Sequence, residues 1–249
     1  MAVSLSPSVS PSVSPSAGSD AYEINDTYLA SDSNLQGYWR LESDGTDESD
    51  NSYTLTGTGS PTHSAGKFGN GADFEKDSSQ DYTIANASCA NLEISGSQTW
   101  SCWVKLESIG KHQTAIGKFD GTNAYHRLHV NSNNTVTFRI AGLTTNEQVA
   151  STAVVTTGAW YHLCGVYDSS ASKIKVFVNG AKTELVASGS ATDTNGGFSV
   201  GNLGDQASGS LFDGIVDDAA IFNRALTDAE VQFLYYGGIK KISGVVNQS

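Results

Sequence analysis

The sequence lacks the features of membrane, nucleic-acid-binding and disulfide-rich proteins. It has no apolar run long enough to span a bilayer. It has 14 basic and 26 acidic residues, and the resulting net charge of −12 disfavours nucleic acid and anionic lipid as partners. Its three cysteines are an odd number without metal-ligand spacing, which excludes a disulfide framework. Cys102 and Cys164 are expected as small core residues, with a bridge between them left open.

Prolines are also scarce, and three of the four stand in an S-P-S-V repeat over residues 4–16. This stretch has neither the positive n-region nor the apolar h-region of a secretory signal. It has nothing to pack as a core and is expected to be extended. We therefore expect an arm over residues 1–34, which is either a disordered leader or an anchor that becomes ordered against a partner.

From Leu35 onward the pattern is that of β-strands. Apolar and polar residues alternate in short segments with turns between them, and no helix intervenes. Asn179-Gly180 predicts a tight hairpin turn. Strands at this spacing indicate an all-β sandwich or jelly roll. The predicted strands include residues 99–106, 125–130, 135–140, 159–168 and 173–178.

One short helix is predicted near the C-terminus. Thr227 is a natural N-cap, and Glu230 three residues later completes a capping box. Val231 and Leu234 supply an apolar face, and the glycines at 237–238 end the helix.

Several segments together resemble a laminin-G-like domain of the concanavalin A-like lectin/glucanase superfamily. The most specific are "GAWYHLCGVYDSSASKIKVFVNG" and "FDGIVDDAAIFNRALTDAEVQFLYYGG", preceded in the expected order by "LQGYWRLESDGTDESDNSYTLTGTG", "GKFGNGADFEKDSSQDYTIA" and "QTWSCWVKL". The resemblance covers about residues 35–238. It implies a jelly roll of two curved sheets, a binding or adhesive module, and often one calcium at the rim. Residues 239–249 form an extension, expected to add an edge strand or an oligomer contact.

Two adjacent acids interrupt the last predicted strand. If Ala219 and Ile221 face the core, alternation places Asp217 on the same inward face and Asp218 in solvent. An inward carboxylate at the rim can bind calcium, which prefers oxygen ligands. The alternative is that Asp217 accepts hydrogen bonds from the protein itself.

The acidic loop at residues 42–52 supplies the other predicted calcium ligands. Asp47 and Asn51 stand where the family often carries an Asp and an Asn before the second strand, and Asp50 is a further candidate. The spacing is not that of an EF-hand. A simply solvated loop is the alternative, and structural calcium is the predicted cofactor.

Catalysis is not expected. The nearest approach to the E-x-D-x-E array of related glucanases is Glu42-x-Asp44. That stretch has no apolar alternate face and is predicted to be a loop, so its acids are not aimed into one cleft. The sequence also lacks G-x-S-x-G and phosphate-binding motifs.

A ligand surface is predicted on outward-facing strand positions. Arg127 and His129 alternate with inward residues, as do Arg139 and Phe177 on their own strands. Together these four are predicted to bind a glycan or an acidic partner. An ordinary solvated face is the alternative.

An adhesive domain, an arm and no secretion signal fit a phage-type virion decoration or adhesion protein. The arm, through residues 1–20, is expected to bind a capsid or tail protein, and the domain to face a cell-surface glycan from the virion surface. The alternative is a bacterial surface or exported carbohydrate-binding module. Neither nucleic acid nor membrane insertion is expected, and a homo-oligomer is left open.

Overall fold

The computed structural model describes residues 29, 31–121, 125–192, 195–204 and 210–237. Two large antiparallel sheets pack face to face, and this confirms the predicted jelly-roll sandwich. Most of the predicted arm and the predicted extension at 239–249 lie outside the described residues. The described strands are β1 (Leu35–Trp39), β2 (Thr56–Thr58), β3 (Thr62–Ala65), β4 (Asn70–Phe74), β5 (Asp81–Ile84), β6 (Gln98–Leu106), β7 (Gln113–Phe119), β8 (Tyr125–Val130), β9 (Thr135–Arg139), β10 (Leu143–Thr145), β11 (Gln148–Val154), β12 (Trp160–Asp168), β13 (Lys173–Val178), β14 (Ala181–Val186), β15 (Ser188–Gly189), β16 (Gly197–Val200) and β17 (Gly214–Phe222).

The eight-stranded sheet has the order β14-β13-β12-β6-β17-β4-β3, with β1 also paired to β17. The seven-stranded sheet has the order β11-β9-β8-β7-β16-β5-β2, and β10 pairs with β15 separately. The predicted hairpin turn is confirmed: both Asn179 and Gly180 have positive φ, which Asn and Gly adopt at low cost. Three short 3-10 helices, Lys76–Ser78, Asn86–Ser88 and Ala90–Leu92, lie in the connections.

The main core lies between the two sheets. It is rich in aromatic side chains, and Trp39 stacks on Phe198 with ring centroids 4.6 Å apart. Gly165 on β12 leaves room for the ring of Phe138, since a Cβ there would lie 2.1 Å from its Cγ. Burying each large side chain contributes roughly 1.5–3 kcal/mol, so this layer dominates the stability of the fold.

A second apolar cluster lies on the other side of the eight-stranded sheet, beneath the helix α1 (Asp228–Gly237). Val231 and Leu234 of α1 pack there with Phe177 and Phe222 of the sheet. The predicted capping box is confirmed, because Thr227 Oγ1 accepts the Glu230 N–H while the Glu230 carboxylate accepts the Thr227 N–H. None of the described helices is long and apolar enough to cross a membrane.

The two described cysteines of the central strands face opposite sides of the eight-stranded sheet. Cys102 lies in the main core and Cys164 in the cluster beneath α1. Neither cysteine forms a disulfide bond within the described part of the chain. The bridge that the sequence left open between Cys102 and Cys164 is therefore absent.

The last residues of the predicted arm pack on the domain. Leu29 is buried in the cluster beneath α1, and Asp32 accepts a hydrogen bond from the Arg224 guanidinium at 2.7 Å. An apolar side chain and a paired charge explain why this part of 1–34 joins the fold.

Strand β17 changes partners at its two aspartates. Gly214–Val216 pairs with β4, whereas Ala219–Phe222 pairs with β1. The register against β6 shifts between Asp217 and Ala220, and Asp218 has a φ of 48°. This is a β-bulge, which resets the alternation of side chains.

Candidate functional site

A tyrosine and two arginines form a cluster on the outer face of the seven-stranded sheet. Leu128 and Val130 of β8 point into the core, so Tyr125 and Arg127 point away from it. The guanidinium carbon of Arg127 lies 4.9 Å from the centroid of the Tyr125 ring. That of Arg139, on β9, lies 4.1 Å from the same centroid. These cation–π contacts hold both guanidinium groups beside one ring. We call Tyr125, Arg127 and Arg139 the arginine surface.

One carboxylate contacts the arginine surface. Arg139 Nη2 donates to Glu147 Oε2 at 2.8 Å, and Glu147 Oε1 accepts the backbone N–H of Gly142 at 3.1 Å. Burial lowers the pKa of Arg127; Tyr125 acts in the opposite sense, and the charge of Arg139 lowers the pKa further. The structure therefore brings together two of the predicted ligand-binding residues, Arg127 and Arg139. The alternation of "YHRLHV" also places Tyr125 on this face, so its position could have been predicted from the same pattern as that of Arg127.

His129 belongs to the same face but is closed to solvent. Only 1% of it is exposed, and its Nε2 lies 3.0 Å from Asn131 Oδ1. Burial lowers the pKa of His129 to about 3, with a further contribution from Arg127. The imidazole is thus neutral near pH 7, and the prediction that it lies exposed beside Arg127 and Arg139 is wrong.

Phe177 does not belong to this surface. It lies on β13 of the eight-stranded sheet, whereas Arg127, His129 and Arg139 lie on β8 and β9 of the other sheet. Its side chain points out of the sheet, as alternation predicts, but packs beneath α1 and is 1% exposed. The prediction of one surface shared by these four residues is therefore wrong. The physical reason is that strand periodicity does not show what covers a face.

A cleft of about 530 Å³ adjoins the arginine surface. Phe119, at the end of β7, lines the cleft and meets the Tyr125 ring edge-on, with centroids 6.0 Å apart. Asn86, Asp120 and Asn195 also line it. An aromatic side chain with amide and carboxylate neighbours is typical of sites that bind small polar molecules. Strand periodicity does not predict this cleft, because irregular connections form most of its walls.

Asp47, a predicted calcium ligand, is fully engaged by the protein. Its Oδ1 accepts the backbone N–H groups of Tyr38 and Ser49, both at 2.8 Å. Its Oδ2 accepts the Ser49 hydroxyl at 2.8 Å and the Tyr53 N–H at 2.7 Å. Four hydrogen bonds occupy the lone pairs of the carboxylate. Asp47 therefore organises its loop against β1.

Asp50 and Asn51 line a separate polar cavity of about 360 Å³. Asp32 and Asn91 line the same cavity, and Asn51 accepts a hydrogen bond from the Asn91 amide at 2.7 Å. Asn51 also donates to the Gln36 carbonyl at 3.0 Å. Two of the four predicted calcium ligands thus share a cavity rich in oxygen atoms, which suits a hard cation.

The carboxyl groups of Asp217 and Asp218 are both buried on the outer side of the eight-stranded sheet. Asp217 Oδ2 accepts the backbone N–H groups of Lys67 at 2.7 Å and Phe68 at 2.9 Å, while Oδ1 has no partner among the described residues. Asp218 Oδ1 accepts the Tyr38 hydroxyl at 2.7 Å. Burial raises the pKa of Asp217 to about 6. Burial and the Asp217 carboxylate raise the pKa of Asp218.

This geometry corrects both orientations predicted for the pair. Asp218 is only 6% exposed, so it does not face solvent. Asp217 lies opposite Trp103, which packs on Tyr235 of α1, and so points away from the core that Ala219 enters. The bulge is the reason, because it separates the alternation of the two halves of β17. Two polar residues inside an apolar strand were the available signal for it.

The four predicted calcium ligands do not converge on one point. Asp217 contacts the β3–β4 turn, Asp47 contacts β1 and its own loop, and Asp50 and Asn51 line the polar cavity. Among the described residues, the group of acidic side chains close enough to share an ion is instead Asp73, Glu75 and Glu107. A calcium held jointly by the four predicted residues does not fit this structure.

Solved structures of other proteins have a similar fold. No curated protein sequence matches the chain. Domain 4 of AbnA, an extracellular arabinanase from Geobacillus stearothermophilus solved with arabinotriose, is 21% identical at a TM-score of 0.60, covering 81% of this chain and 98% of its own. The binding domain of Paraclostridial Mosquitocidal Protein 1 is 15% identical at a TM-score of 0.62, covering 81% and 52%.

A third similar structure is the CBM40 domain of the Ruminococcus gnavus IT-sialidase bound to α2,3-sialyllactose. It is 15% identical at a TM-score of 0.53, covering 66% of this chain and 96% of its own. A laminin G-type family model, described as the concanavalin A-like lectin/glucanases superfamily, matches residues 77–232, which is more than half of the chain. The chain therefore belongs to the concanavalin A-like lectin/glucanases superfamily.

Proposed function

We propose that the protein is a non-catalytic glycan-binding module and that the arginine surface with its adjoining cleft is the binding site. The observation that carries this proposal is the fixed pair of guanidinium groups around Tyr125, next to a cleft lined by Phe119. Aromatic rings provide apolar area for a sugar ring, while guanidinium and amide groups bind its hydroxyls. The described α-helix lies against the opposite sheet and leaves this face free of helical cover.

The similar structures support the same class of function. Domain 4 of AbnA and the CBM40 domain were both solved with oligosaccharides. The first is described as a domain of an extracellular arabinanase, and the second as the CBM40 of a sialidase. Their likeness to this chain is one of fold, so the residues of the arginine surface carry the proposal.

The absence of catalysis is also a proposal. Glycoside hydrolysis commonly needs two carboxyl groups flanking the scissile bond, one of them able to donate a proton. Glu147, the carboxylate that contacts the arginine surface, is already bonded to Arg139 and to the Gly142 amide. Glu42 accepts the Asn70 N–H in a loop and contacts Arg40. Neither arrangement presents a paired acid and nucleophile to the cleft.

A glycan array with the full chain tests the binding function. We expect wild-type protein to bind a subset of oligosaccharides, and Tyr125→Ala to lose that binding because both guanidinium groups lose their support. Arg40→Gln, an exposed arginine near the other sheet, is the matched control and should bind as wild type does. Silence of the wild-type chain across the array would contradict the proposal.

We further propose that the domain is displayed on the surface of a phage-type virion, with residues 1–20 attached to a capsid or tail protein. The S-P-S-V repeat supports an extended attachment arm, and the fold supports an adhesive domain at its end. The alternative is a bacterial cell-surface or extracellular carbohydrate-binding module. Mass spectrometry of purified particles separates the two: detection with capsid proteins supports the virion, and detection only in cell envelopes supports the alternative.

We retain calcium as a proposed structural cofactor, supported now by the polar cavity of Asp50 and Asn51 and not by Asp47 or Asp217. Carboxylate and amide oxygens are ligands that calcium prefers. A thermal melt with calcium and with chelator tests this. A higher midpoint with calcium that disappears in Asp50→Asn supports the site, and equal midpoints contradict it.

A further inference from the structure

The charges on the arginine surface do not balance. Arg127 and Arg139 occupy directly opposite positions on β8 and β9, where like charges repel. Arg139 is neutralised by Glu147 at 2.8 Å. Among the described residues, no carboxylate is paired with Arg127, and its Nε is buried without an acceptor. One positive charge is therefore left over at a half-buried position.

Arg127 is the residue whose charged form this arrangement destabilises. Burial lowers the pKa of Arg127, the neighbouring Tyr125 raises it, and the charge of Arg139 lowers it. A guanidinium that has lost part of its water without gaining a counter-charge retains unused hydrogen-bond donors and an unfavourable electrostatic energy. A bound anion would remove both.

The neighbours of the pair in the sheet do not supply that anion. Gly117 on β7 stands opposite Arg127, and Gln148 on β11 stands opposite Arg139. His129, two residues along β8, is neutral because its pKa is lowered to about 3. The turn at Asn202 and Leu203 packs over Gly117 and contributes a backbone carbonyl and an apolar side chain there.

We propose that the ligand of the arginine surface is an acidic glycan, a sugar that carries a carboxylate, and that Arg127 binds this carboxylate. This inference rests on the proposed glycan-binding function and names the class of glycan. The planar guanidinium presents parallel N–H donors that match the two oxygens of a carboxylate. Arg139, already held by Glu147, keeps Arg127 in place through Tyr125 and adds positive potential.

The adjoining cleft provides room for the rest of the sugar. Phe119 contacts Tyr125 edge-on and lines the cleft, so a ring whose carboxylate meets Arg127 extends toward an aromatic side chain and the amides of Asn86 and Asn195. The carboxylate of Asp120 also lines the cleft, so the hydroxyl groups of the sugar and not its acidic group should face that side. The negative net charge of the whole chain repels acidic polymers in general. A local positive site on such a chain selects for a carboxylate that is docked against Arg127.

The test compares matched acidic and neutral probes by calorimetry. Sialyllactose is paired with lactose, and a glucuronate-terminated oligosaccharide with its glucose-terminated counterpart. We expect at least one acidic probe to bind about tenfold or more tightly than its neutral match, as is typical when a charged hydrogen-bonded pair forms. Arg127→Gln should abolish this preference while leaving the weaker binding of the neutral probe. Raising the salt concentration should reduce the preference.

Two further variants sharpen the result. Glu147→Gln releases Arg139 from its counter-charge, so the affinity for the acidic probe should rise severalfold, whereas Arg40→Gln should leave it unchanged. Thermal melts confirm that each variant is folded. Equal affinity for acidic and neutral probes overturns the inference but leaves the proposed glycan binding standing. A preference for a sulfated sugar over the carboxylated one has the same two consequences. Failure of every sugar to bind overturns the proposed function as well.

Discussion

The two sheets use their outer faces in opposite ways. On the eight-stranded sheet, the outward side chains of Phe177, Cys164 and Phe222 are covered by α1 and form a second apolar cluster. On the seven-stranded sheet, the outward side chains of Tyr125 and Arg127 remain half-exposed beside a cleft. One face is a buried layer of the fold, and the other presents cationic groups to solvent.

The difference teaches what a strand sequence can and cannot specify. "KIKVFV" on β13 and "YHRLHV" on β8 have the same alternation, and both strands have the predicted bounds. Alternation assigns each side chain to a face, but a helix distant in sequence decides whether that face meets water. Burial, and not the choice of sheet, shifts the histidines: it lowers the pKa of His162 beneath α1 to about 3, and it does the same to His129, which is closed to solvent on the other sheet.

Removal of a large side chain from the covered face should have the largest effect on stability. Phe177→Ala leaves a cavity between β13 and α1 and is expected to lower the free energy of unfolding by about 3–5 kcal/mol, measured by urea denaturation. Glycan binding by the folded protein should be unchanged. Arg127→Ala is the reverse control, with loss of the preference for acidic sugars and little change in stability.

If Phe177→Ala fails to fold, Phe177→Leu provides the same comparison with a smaller loss. Loss of glycan binding in Phe177→Leu at wild-type stability would place Phe177 in the binding site and contradict the division between the two faces.

Acid should destabilise the covered face through His162. This residue is buried beside Trp103 and Tyr235, its Nε2 lies 2.9 Å from Ser101 Oγ, and burial lowers its pKa to about 3. The unfolded chain binds the proton more readily, so the stability is complete above the ordinary histidine pKa and is lost as the pH falls from 6.5 toward 3. Between pH 7.5 and pH 4 the loss is on the order of 3 kcal/mol.

Urea denaturation at pH 7.5 and pH 4 measures this loss. His162→Gln, which can keep the bond to Ser101, should show a shallower acid decline than wild type. An equally steep decline would assign the acid sensitivity to other groups.

Asp218 should change the stability with pH in the opposite direction from His162. Its folded pKa is raised above the unfolded value, so its contribution to stability is present at low pH and is lost as the pH rises through the folded pKa. Asp218→Asn removes a buried charge beside Asp217 and can still accept the Tyr38 hydroxyl. At pH 7.5 it should therefore stabilise the protein by on the order of 1 kcal/mol, seen as a higher thermal midpoint.

The gain from Asp218→Asn should shrink as the pH falls toward 4, because the wild-type carboxyl group is then protonated as well. Asp44→Asn, at an exposed turn, is the control for a change of one charge. Destabilisation by Asp218→Asn at pH 7.5 would show that the carboxylate is needed in its ionised form.

The predictability of the fold and of the candidate site differs for a physical reason. The capping box of α1, the hairpin at Asn179 and Gly180, and the main strands follow from local chemistry, so the sequence predicted them. Alternation does not predict the β-bulge in β17. Because one residue there has a positive φ, the residues of the strand that precede it point to the opposite face from the one that alternation assigns. Asp217 and Asp218 were for this reason assigned to the wrong environments.

The candidate site required contacts between distant segments. Arg127 and Arg139 were predicted together because their strands are close in sequence and alternate in the same way. Phe177 was grouped with them because nothing in its strand shows which sheet it joins or that α1 covers it. The engagement of Asp47 by four hydrogen bonds depends on the path of its own loop, which residue types alone do not determine.

The smallest expected effect lies on the open face. The ion pair between Arg139 and Glu147 is partly exposed, with 23% and 37% of the two side chains accessible, so solvent screens it. Glu147→Gln should change the free energy of unfolding by only about 0–1 kcal/mol. The same substitution should raise the affinity for an acidic sugar, because Arg139 then lacks its counter-charge. A small change in stability together with a gain in affinity identifies an open binding face, since substitution of a group in a covered layer would mainly destabilise the protein. Urea denaturation and calorimetry on the same preparation distinguish these two cases. A loss of several kcal/mol in the free energy of unfolding would place Glu147 in the structural framework.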